Sequence, residues 1–340
     1  MAPLVSILIP SYNAAPWIAE SIKSALAQSW GRKEIIIVDD GSRDETAAIA
    51  RRFASPTVSV VTQANQGAAA ARNKALSLSQ GDYIQWLDAD DILIPDKITR
   101  QMAAIERSET DVLLSCSWGS FIYRPWKAQF HPTPLWCDLT PLEWLSRKME
   151  QNLHMQTATW LVSREITDRA GPWNERLSLD DDGEYFCRVL LVSERVCFVP
   201  EAKVLYRAAS STSLRNVDGS SRKTESQFRS TQLHVQYIRS LCDSERVRNI
   251  CVKYLQRRVR NFIPERPDLV EELKKLANSL GGKLQMPELG GRYSLLERFF
   301  GYSFAKRSRF QVRRLRWGLI RGWDKTMARL SREYNMEHAG

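Results

Sequence analysis

The sequence lacks the motifs that mark several common enzyme classes. No GxGxxG follows the first apolar run and no GxxxxGK[ST] occurs anywhere in the 340 residues, which argues against typical dinucleotide-binding and P-loop enzymes. The six cysteines form no CxxC pair, so we expect reduced, mostly buried thiols. No run of 18 apolar residues and no signal-peptide pattern is present. We therefore expect a cytoplasmic protein without a transmembrane helix.

The positive charge is concentrated near the C-terminus. The whole chain has a formal net charge of +10, and residues 291–340 hold 12 Lys/Arg against 4 Asp/Glu, a net of +8. The first 290 residues therefore carry only +2, and the basic character indicates nothing about the chemistry of the N-terminal part.

Strand and helix patterns alternate through the first ninety residues. Apolar runs at 5–10, 33–38, 58–62 and 81–88 predict strands, and the segments at 15–28, 42–54 and 68–79 predict helices between them. Ser42 and Glu45 stand at capping-box spacing, which predicts the start of the second helix. This order predicts an α/β fold with a mostly parallel central sheet and helices on both faces.

Each predicted strand ends in polar residues, at 11–13, 39–42, 65–67 and 88–91. Because the carboxyl ends of parallel strands meet at one edge of a sheet, these four loops predict a ligand pocket. Asp88 and Asp90 are two residues apart and lie on the same side of an extended chain. Two adjacent carboxylates predict a divalent cation nearby, although a polar turn before the helix near Pro95 is the alternative. Asp91 is predicted to cap that helix.

Four sequence motifs carry a resemblance to a known family. They are Pro10-Ser11-Tyr12-Asn13, Val38-Asp39-Asp40-Gly41-Ser42, Asn65-x-Gly67 with Ala71-Arg72-Asn73, and Leu87-Asp88-Ala89-Asp90-Asp91. In this order they resemble the family 2 glycosyltransferases, which are inverting enzymes of the GT-A fold that use nucleotide-diphospho-sugars. The resemblance is close over residues 4–100 and weaker to about 215.

The resemblance implies a role for each motif. The donor-binding residues that it implies are Pro10, Ser11, Tyr12, Asp39, Asn65, Gly67, Arg72, Asp88 and Arg207. Among these, Asp39 is expected to bind the nucleobase and Asp88 to lie toward the ribose. Asp90 is expected to bind Mn²⁺ or Mg²⁺, which neutralises the diphosphate as it leaves.

A second acidic cluster occupies residues 180–184. Asp and Glu are favoured in the first turn of a helix, so one interpretation is that these residues only stabilise the start of a helix. The other is a general base that accepts the proton of the acceptor hydroxyl, as an inverting transfer needs. The resemblance places the base at Asp182, with Asp181 as the second candidate because three consecutive aspartates leave the register open by one residue.

The middle of the chain is rich in aromatic residues. Most of the aromatic residues at 118–144 are expected in the core, with sugar stacking as the alternative. His154 is a candidate acceptor-site residue, although a structural role is more common for a lone histidine. Residues 210–223 are predicted to form a mobile loop, suited to act as a lid.

The domain prediction divides the chain at residue 224. Residues 1–224 form the catalytic domain, with a nucleotide-sugar half at about 1–100 and an acceptor half at about 101–224, and 225–340 form a helical region. Its basic amphipathic tail, at about 291–334, is expected to bind an anionic membrane surface or to dock on protein. Nucleic acid is not expected as a partner, because no known binding motif accompanies the charge.

The sequence predicts a transferase of sugar from a nucleoside-diphospho-sugar to a hydroxyl of a glycan or lipid-linked acceptor, as in bacterial cell-surface polysaccharide synthesis. UDP is favoured as the donor nucleotide only because it is common in the resembled family. The same resemblance implies that the protein acts at the inner face of the membrane. The alternatives are a non-catalytic nucleotide-sugar-binding or scaffolding subunit and a nucleotidyltransferase.

Overall fold

The computed structural model describes residues 2–105, 111–208, 221–287 and 292–337. Its first part alternates strands and helices, as the sequence predicts. The elements are β1 (Val5–Ser11), α1 (Ile18–Leu26), β2 (Lys33–Asp39), α2 (Thr46–Arg51), β3 (Val58–Thr62), α3 (Ala68–Leu78) and β4 (Tyr83–Trp86). Every residue of β1 and β4 is buried, which explains why these strands read as continuous rather than alternating apolar runs.

The next part adds strands of a second sheet and further helices. The elements are β5 (Ile92–Leu93), α4 (Lys97–Ala103), β6 (Val112–Phe121), β7 (Gln129–Phe130), α5 (Pro141–Gln151), β8 (Val162–Ser163), α6 (Arg164–Ala170), α7 (Asp181–Leu191) and β9 (Arg195–Arg207). Helix α5 begins with a complete capping box between Thr140 and Glu143, which satisfies two of the free N–H groups at its start.

The strands form two sheets. The larger has the order β3-β2-β1-β4-β8, in which β1 to β4 are parallel and β8 is antiparallel at the edge. The smaller has the order β5-β9-β6-β7, with β6 and β9 parallel. The parallel sheet of the N-terminal half is thus confirmed, whereas the separate second sheet was not foreseen, because β5 and β7 are only two residues long.

Four helices follow in the described part of the chain: α8 (Ser221–Leu241), α9 (Glu245–Val259), α10 (Pro267–Ser279) and α11 (Arg292–Glu337), the last interrupted at Gly301. Buried side chains of α8, α9 and α10 join one hydrophobic cluster with Trp86 of β4 and Tyr185 of α7. The predicted boundary at residue 224 therefore separates segments that share a core, and the division into domains stays a prediction.

Two local sequence predictions about helix caps are wrong. Ser42 does not cap α2, because its hydroxyl contacts Asp39 while Glu45 occupies the N-cap position without a side-chain bond. The helix predicted near Pro95 is present as α4, which has Asp96 at its N-cap. Asp91 does not cap it either, since Asp91 is buried immediately before β5.

Two other predictions concern a lid and a transmembrane helix, and the structure describes only part of the residues that they involve. The predicted lid lies largely outside them, since 209–220 are not described and α8 begins at Ser221. Within the described part of the chain, no helix is long and apolar enough to cross a membrane.

Candidate active site

The carboxyl ends of β1, β2 and β3 form one edge of the larger sheet. The carbonyl oxygen of Ser11, the last residue of β1, accepts the Asp40 N–H at 2.8 Å. Asn13 has a positive φ of 48° and its side-chain oxygen accepts the Arg43 N–H at 2.8 Å. The turn at 11–13 is thereby fixed to the loop after β2, and Tyr12 extends from it into solvent.

The two aspartates after β2 have different partners. Asp39 binds the N–H and hydroxyl of Ser42, so its carboxylate orders its own loop. Asp40 reaches across to the loop after β3, where it accepts the N–H groups of Gln66 at 2.9 Å and Gly67 at 2.8 Å. The structure thus brings the predicted residues Asp39, Asn65 and Gly67 to one place.

Glycine at position 41 is required by this arrangement. Its φ is +71°, and an added Cβ would lie 2.9 Å from the backbone nitrogen of Asn65. A side chain there would be strained and would push the two loops apart.

Arg72 of α3 connects the two acidic clusters. Its Nη2 donates to Asp88 Oδ1 at 2.8 Å and its Nη1 donates to Asp181 Oδ2 at 2.8 Å. The guanidinium also lies 4.4 Å from the ring centroid of Trp173. Burial alone would lower the pKa of Arg72, but the carboxylates of Asp88 and Asp181 outweigh it and raise that pKa. The predicted donor and acceptor sides therefore meet at one buried cation.

Arg207, at the end of β9, is enclosed by protein. Its guanidinium lies between the rings of Trp17 and Phe121 at 4.4 and 4.5 Å, and its Nε donates to the Asp90 carbonyl at 2.8 Å. It also forms an ion pair with Glu20. The structure places Arg207 behind the Asp90 loop, where it supports the backbone, and not in a position open to a diphosphate.

Asp91 supports the same loop from the other side. Its Oδ1 accepts the Arg207 N–H at 2.8 Å, and Gln156 donates to Oδ2. Burial and the charges of Asp90 and Asp88 raise the pKa of Asp91 well above its ordinary value. Asp91 is therefore not the predicted helix cap. Its two contacts instead fix the loop at the end of β4.

The second acidic cluster surrounds the start of α7. Asp180 accepts the Ser230 hydroxyl at 2.9 Å, and Glu184 forms an ion pair with Arg188 at 2.8 Å. Asp181 is bound to Arg72. Among the described residues, the Asp182 carboxylate accepts only the Gly183 N–H, at 2.8 Å, and Asp182 is partly exposed. The Asp182 carboxylate therefore forms no ion pair with a side chain in the described part of the chain.

The pKa values of both base candidates are raised. Burial raises the pKa of Asp181 to about 6, against the lowering effect of Arg72. Burial, followed by the Asp180 charge, raises the pKa of Asp182 as well. Either shift makes an aspartate a stronger base near neutral pH.

Helix α8 holds the segment that leads into α7, which the sequence interpretation missed. The Ser226 hydroxyl accepts the N–H groups of Ser178 and Leu179, each at 2.9 Å, and donates to the Leu179 carbonyl at 2.8 Å. Tyr237 donates to Glu184 at 2.7 Å. A helix read only as C-terminal packing thus orients the acidic cluster, and no local sequence signal indicated this.

The ring of His154 lies 5.3 Å from that of Trp118. Its predicted acceptor role stays a prediction. Of the aromatic stretch, Phe121 and Trp144 are buried, as expected, whereas Trp126 is exposed.

The residues at the end of β4 fit a divalent cation that substrate helps to bind. Within the described part of the chain, no group of three or more His, Cys, Asp or Glu could hold a metal ion by itself. Asp88 and Asp90 are both partly exposed at the sheet edge. Mg²⁺ is commonly bound by one or two carboxylates together with substrate phosphates, and such an incomplete protein donor set is what the structure provides.

Comparison with known proteins assigns a family to part of the chain. Residues 6–168 match the family model described as Glycosyl transferase family 2. This part of the chain belongs to that family, which confirms the resemblance drawn from the motifs. The putative teichuronic acid biosynthesis glycosyltransferase TuaG of Bacillus subtilis is 44% identical over 110 residues, covering 31% of this chain and 44% of TuaG. The chain spans less than two thirds of the length of the first curated relatives it matches.

Solved structures support the fold over most of the chain. S. aureus TarS 1–349, in complex with UDP-GlcNAc, superposes with a TM-score of 0.66 at 18% identity, covering 81% of both chains. The mannosyltransferase PcManGT from Pyrobaculum calidifontis, in complex with GDP-Man and Mn²⁺, has a TM-score of 0.53 at 17% identity, covering 98% of this chain and 88% of that one. The protein has the GT-A fold with a helical C-terminal extension.

Proposed function

We propose that the protein is an inverting, metal-dependent glycosyltransferase that moves a sugar from a nucleoside diphosphate to an acceptor hydroxyl. The observation that carries the proposal is the double ion pair of Arg72, which joins Asp88 at the end of β4 to Asp181 at the start of α7. A leaving-group side and a base side are thereby held next to each other at one sheet edge, as a single displacement needs.

The donor side is the loop edge of β1 to β4. Ser11, Tyr12 and Asp39 are proposed to hold the nucleobase, and Asn65, Gly67 and Arg72 to lie near the base and phosphates. Pro10 directly precedes Ser11, the last residue of β1. Asp88 faces the ribose, and Asp90 is the proposed ligand of Mn²⁺ or Mg²⁺. A bound cation would stabilise the negative charge of the departing diphosphate.

The acceptor side is the start of α7. Asp182 is proposed as the general base because its carboxylate is partly exposed and no described cation holds it. In the reaction the acceptor oxygen bonds to the anomeric carbon, the bond from that carbon to the diphosphate breaks, and the hydroxyl proton passes to Asp182. One base and direct attack from the opposite face invert the anomeric centre. Asp181 remains the second candidate.

We propose UDP-sugars as the first donors to test, since the TarS structure holds UDP-GlcNAc, although PcManGT holds GDP-Man. The acceptor is proposed to be a glycan or lipid-linked hydroxyl in the synthesis of a cell-surface polysaccharide, which the relation to TuaG supports. The family resemblance implies a cytoplasmic location, and the basic tail is suited to a peripheral position at the inner face of the membrane.

A thermal-shift screen of nucleotide-sugars, each with and without Mn²⁺, tests the donor proposal. A ligand that binds the native state raises the melting temperature by mass action, and a donor at 100 times its dissociation constant adds about 2.7 kcal/mol. We expect a shift that needs both nucleotide-sugar and metal. If no nucleotide-sugar shifts the melting temperature, the donor assignment is wrong.

Release of nucleoside diphosphate by the purified chain separates an enzyme from a binding subunit. We expect slow, metal-dependent hydrolysis of the donor, with water in place of the acceptor. Binding without any release would favour the scaffolding alternative.

A further inference from the structure

Helix α11 contacts the rest of the protein at two places. Near its first third, Ala305 is buried and Lys306 donates to the Ile263 carbonyl and to Glu265. Further on, Asp324 accepts the Tyr123 N–H and Arg124 Nε, each at 2.8 Å. Between these places, every residue from 311 to 320 is exposed. The helix is therefore attached at two points and open to solvent between them.

Three strongly exposed apolar residues of this helix lie on the side opposite the buried Ala328. Leu315, Leu319 and Trp323 are four residues apart and are 68%, 76% and 66% exposed. Leu319 lies nine residues before the buried Ala328, or two and a half helical turns, so the two residues are on opposite sides. Val312 and Leu330 continue the stripe at helical spacing. A contiguous apolar stripe that faces outward indicates a binding surface.

The charge of the same segment selects the partner. Residues 302–331 contain nine Lys/Arg and one acidic residue, Asp324, a net of +8. Pairing with a second copy of this helix would place like charges together, which is unfavourable. An anionic lipid surface instead attracts the basic side chains and accepts leucine and tryptophan below its head groups.

We propose that the outward face of α11, with Leu315, Leu319 and Trp323 at its centre, binds the surface of an anionic lipid bilayer. The contact at Asp324 holds this face at a fixed position beside the active site. Tyr123, which donates to Asp324, has its ring 5.5 Å from Trp17, and Trp17 packs on Arg207, which binds the Asp90 carbonyl. The surface would therefore lie near the metal-binding loop, where a lipid-linked acceptor could enter. Only this last point rests on the proposed function.

Sedimentation of the full-length protein with lipid vesicles tests the proposal. The probes are vesicles of phosphatidylcholine alone and of phosphatidylcholine with phosphatidylglycerol. The double variant Leu319→Glu/Trp323→Glu removes the apolar centre, and Met286→Glu is the matched control, since Met286 is 60% exposed but lies outside α11. A third variant, Arg313→Ala/Arg314→Ala/Arg316→Ala, removes three exposed charges.

We expect the wild type and Met286→Glu to bind the anionic vesicles and not the neutral ones. The double variant should bind at least about tenfold more weakly, because it places two charges where apolar groups would be buried. The triple variant should lose roughly a hundredfold, since each basic residue near such a surface contributes about fivefold. Circular dichroism should show all variants folded, because every changed side chain is exposed.

Two results would overturn the proposal. One is binding of the double variant that equals that of the wild type. The other is a combination of two observations: the wild type binds no lipid, and sedimentation velocity shows it as an oligomer while the double variant is a monomer. This face of α11 would then be an interface between copies of the chain. Vesicle binding by a chain that never releases nucleoside diphosphate would leave this inference standing and contradict the proposed function instead.

Discussion

Replacing Asp182 by asparagine distinguishes the two base candidates. Asparagine has the same shape and keeps an oxygen that can accept the Gly183 N–H, which Asp182 accepts at 2.8 Å. The substitution therefore removes the ability to take a proton while it preserves the local bond. No ion pair is lost, because no described cation contacts this carboxylate.

The expected loss can be worked from this difference. General-base catalysis contributes typically 10²- to 10⁴-fold, or about 3–5 kcal/mol in the barrier. Asp182→Asn should lower the turnover number by about this factor and leave donor affinity within about twofold. Asp181→Asn should have a smaller effect, on the order of tenfold, because its oxygen can still accept from Arg72 and only the charge of that bond is lost.

The assay follows nucleoside diphosphate release under saturating donor and metal, with donor affinity measured separately by thermal shift. Asp168→Asn is the control, since Asp168 is exposed on α6, and it should behave as the wild type. The acid limb of the pH–rate profile should lie at a higher pH than for an unperturbed aspartate, because burial raises the pKa of Asp182. An active Asp182→Asn together with an inactive Asp181→Asn would refute the assignment.

Three further changes test the site and the fold. Chelation by EDTA, or Asp90→Asn, should abolish donor hydrolysis, and added Mn²⁺ should restore only the chelated wild type; a metal-free enzyme with full activity would contradict the proposed ligand. Ser226→Ala should lower the free energy of unfolding by about 2 kcal/mol, since it leaves the N–H groups of the segment before α7 without an acceptor. It should also lower the turnover number more than the donor affinity. Substitution of the exposed Ser240 on the same helix by alanine should change neither stability nor turnover. Burial lowers the pKa of Lys97 from 10.5 to about 8, so the unfolded chain binds the extra proton between these values, and this residue contributes a rise of about 3 kcal/mol in the free energy of unfolding from pH 8 to 10.5. Buried thiols such as Cys187, whose pKa burial raises to about 12, contribute a fall over the same range. Chemical denaturation should therefore show that Lys97→Met loses stability relative to the wild type as the pH rises, and equal slopes would contradict the buried amine.

The alternation of strands and helices through Trp86 could be predicted from the sequence because it is a local property. Buried parallel strands such as β1 and β4 read as short apolar runs, and the polar residues after them fall at one edge by topology alone. The bounds of β3, Val58 to Thr62, agree with the prediction. The positions of Asp39, Asn65 and Asp88 at a common edge followed from the same rule.

The contacts that organise the site could not be predicted, because they join residues far apart in the chain. Arg72 and Asp181 are 109 residues apart, and Arg207 and Glu20 are 187 apart. No local period encodes such pairs. Lys97 shows a different limit: a lysine at the start of a helix is expected in solvent, yet its amine donates to the Gln85 oxygen inside the core.

The position of Arg72 makes the two halves of the site one electrostatic unit. A ligand that draws the Arg72 guanidinium toward the end of β4 weakens the ion pair between Arg72 and Asp181. A ligand that neutralises Asp181 strengthens the ion pair between Arg72 and Asp88. Occupancy on one side is thus communicated to the other through a single side chain. Because Asp88 and Asp181 share this partner, the free energies of substituting them should not be additive.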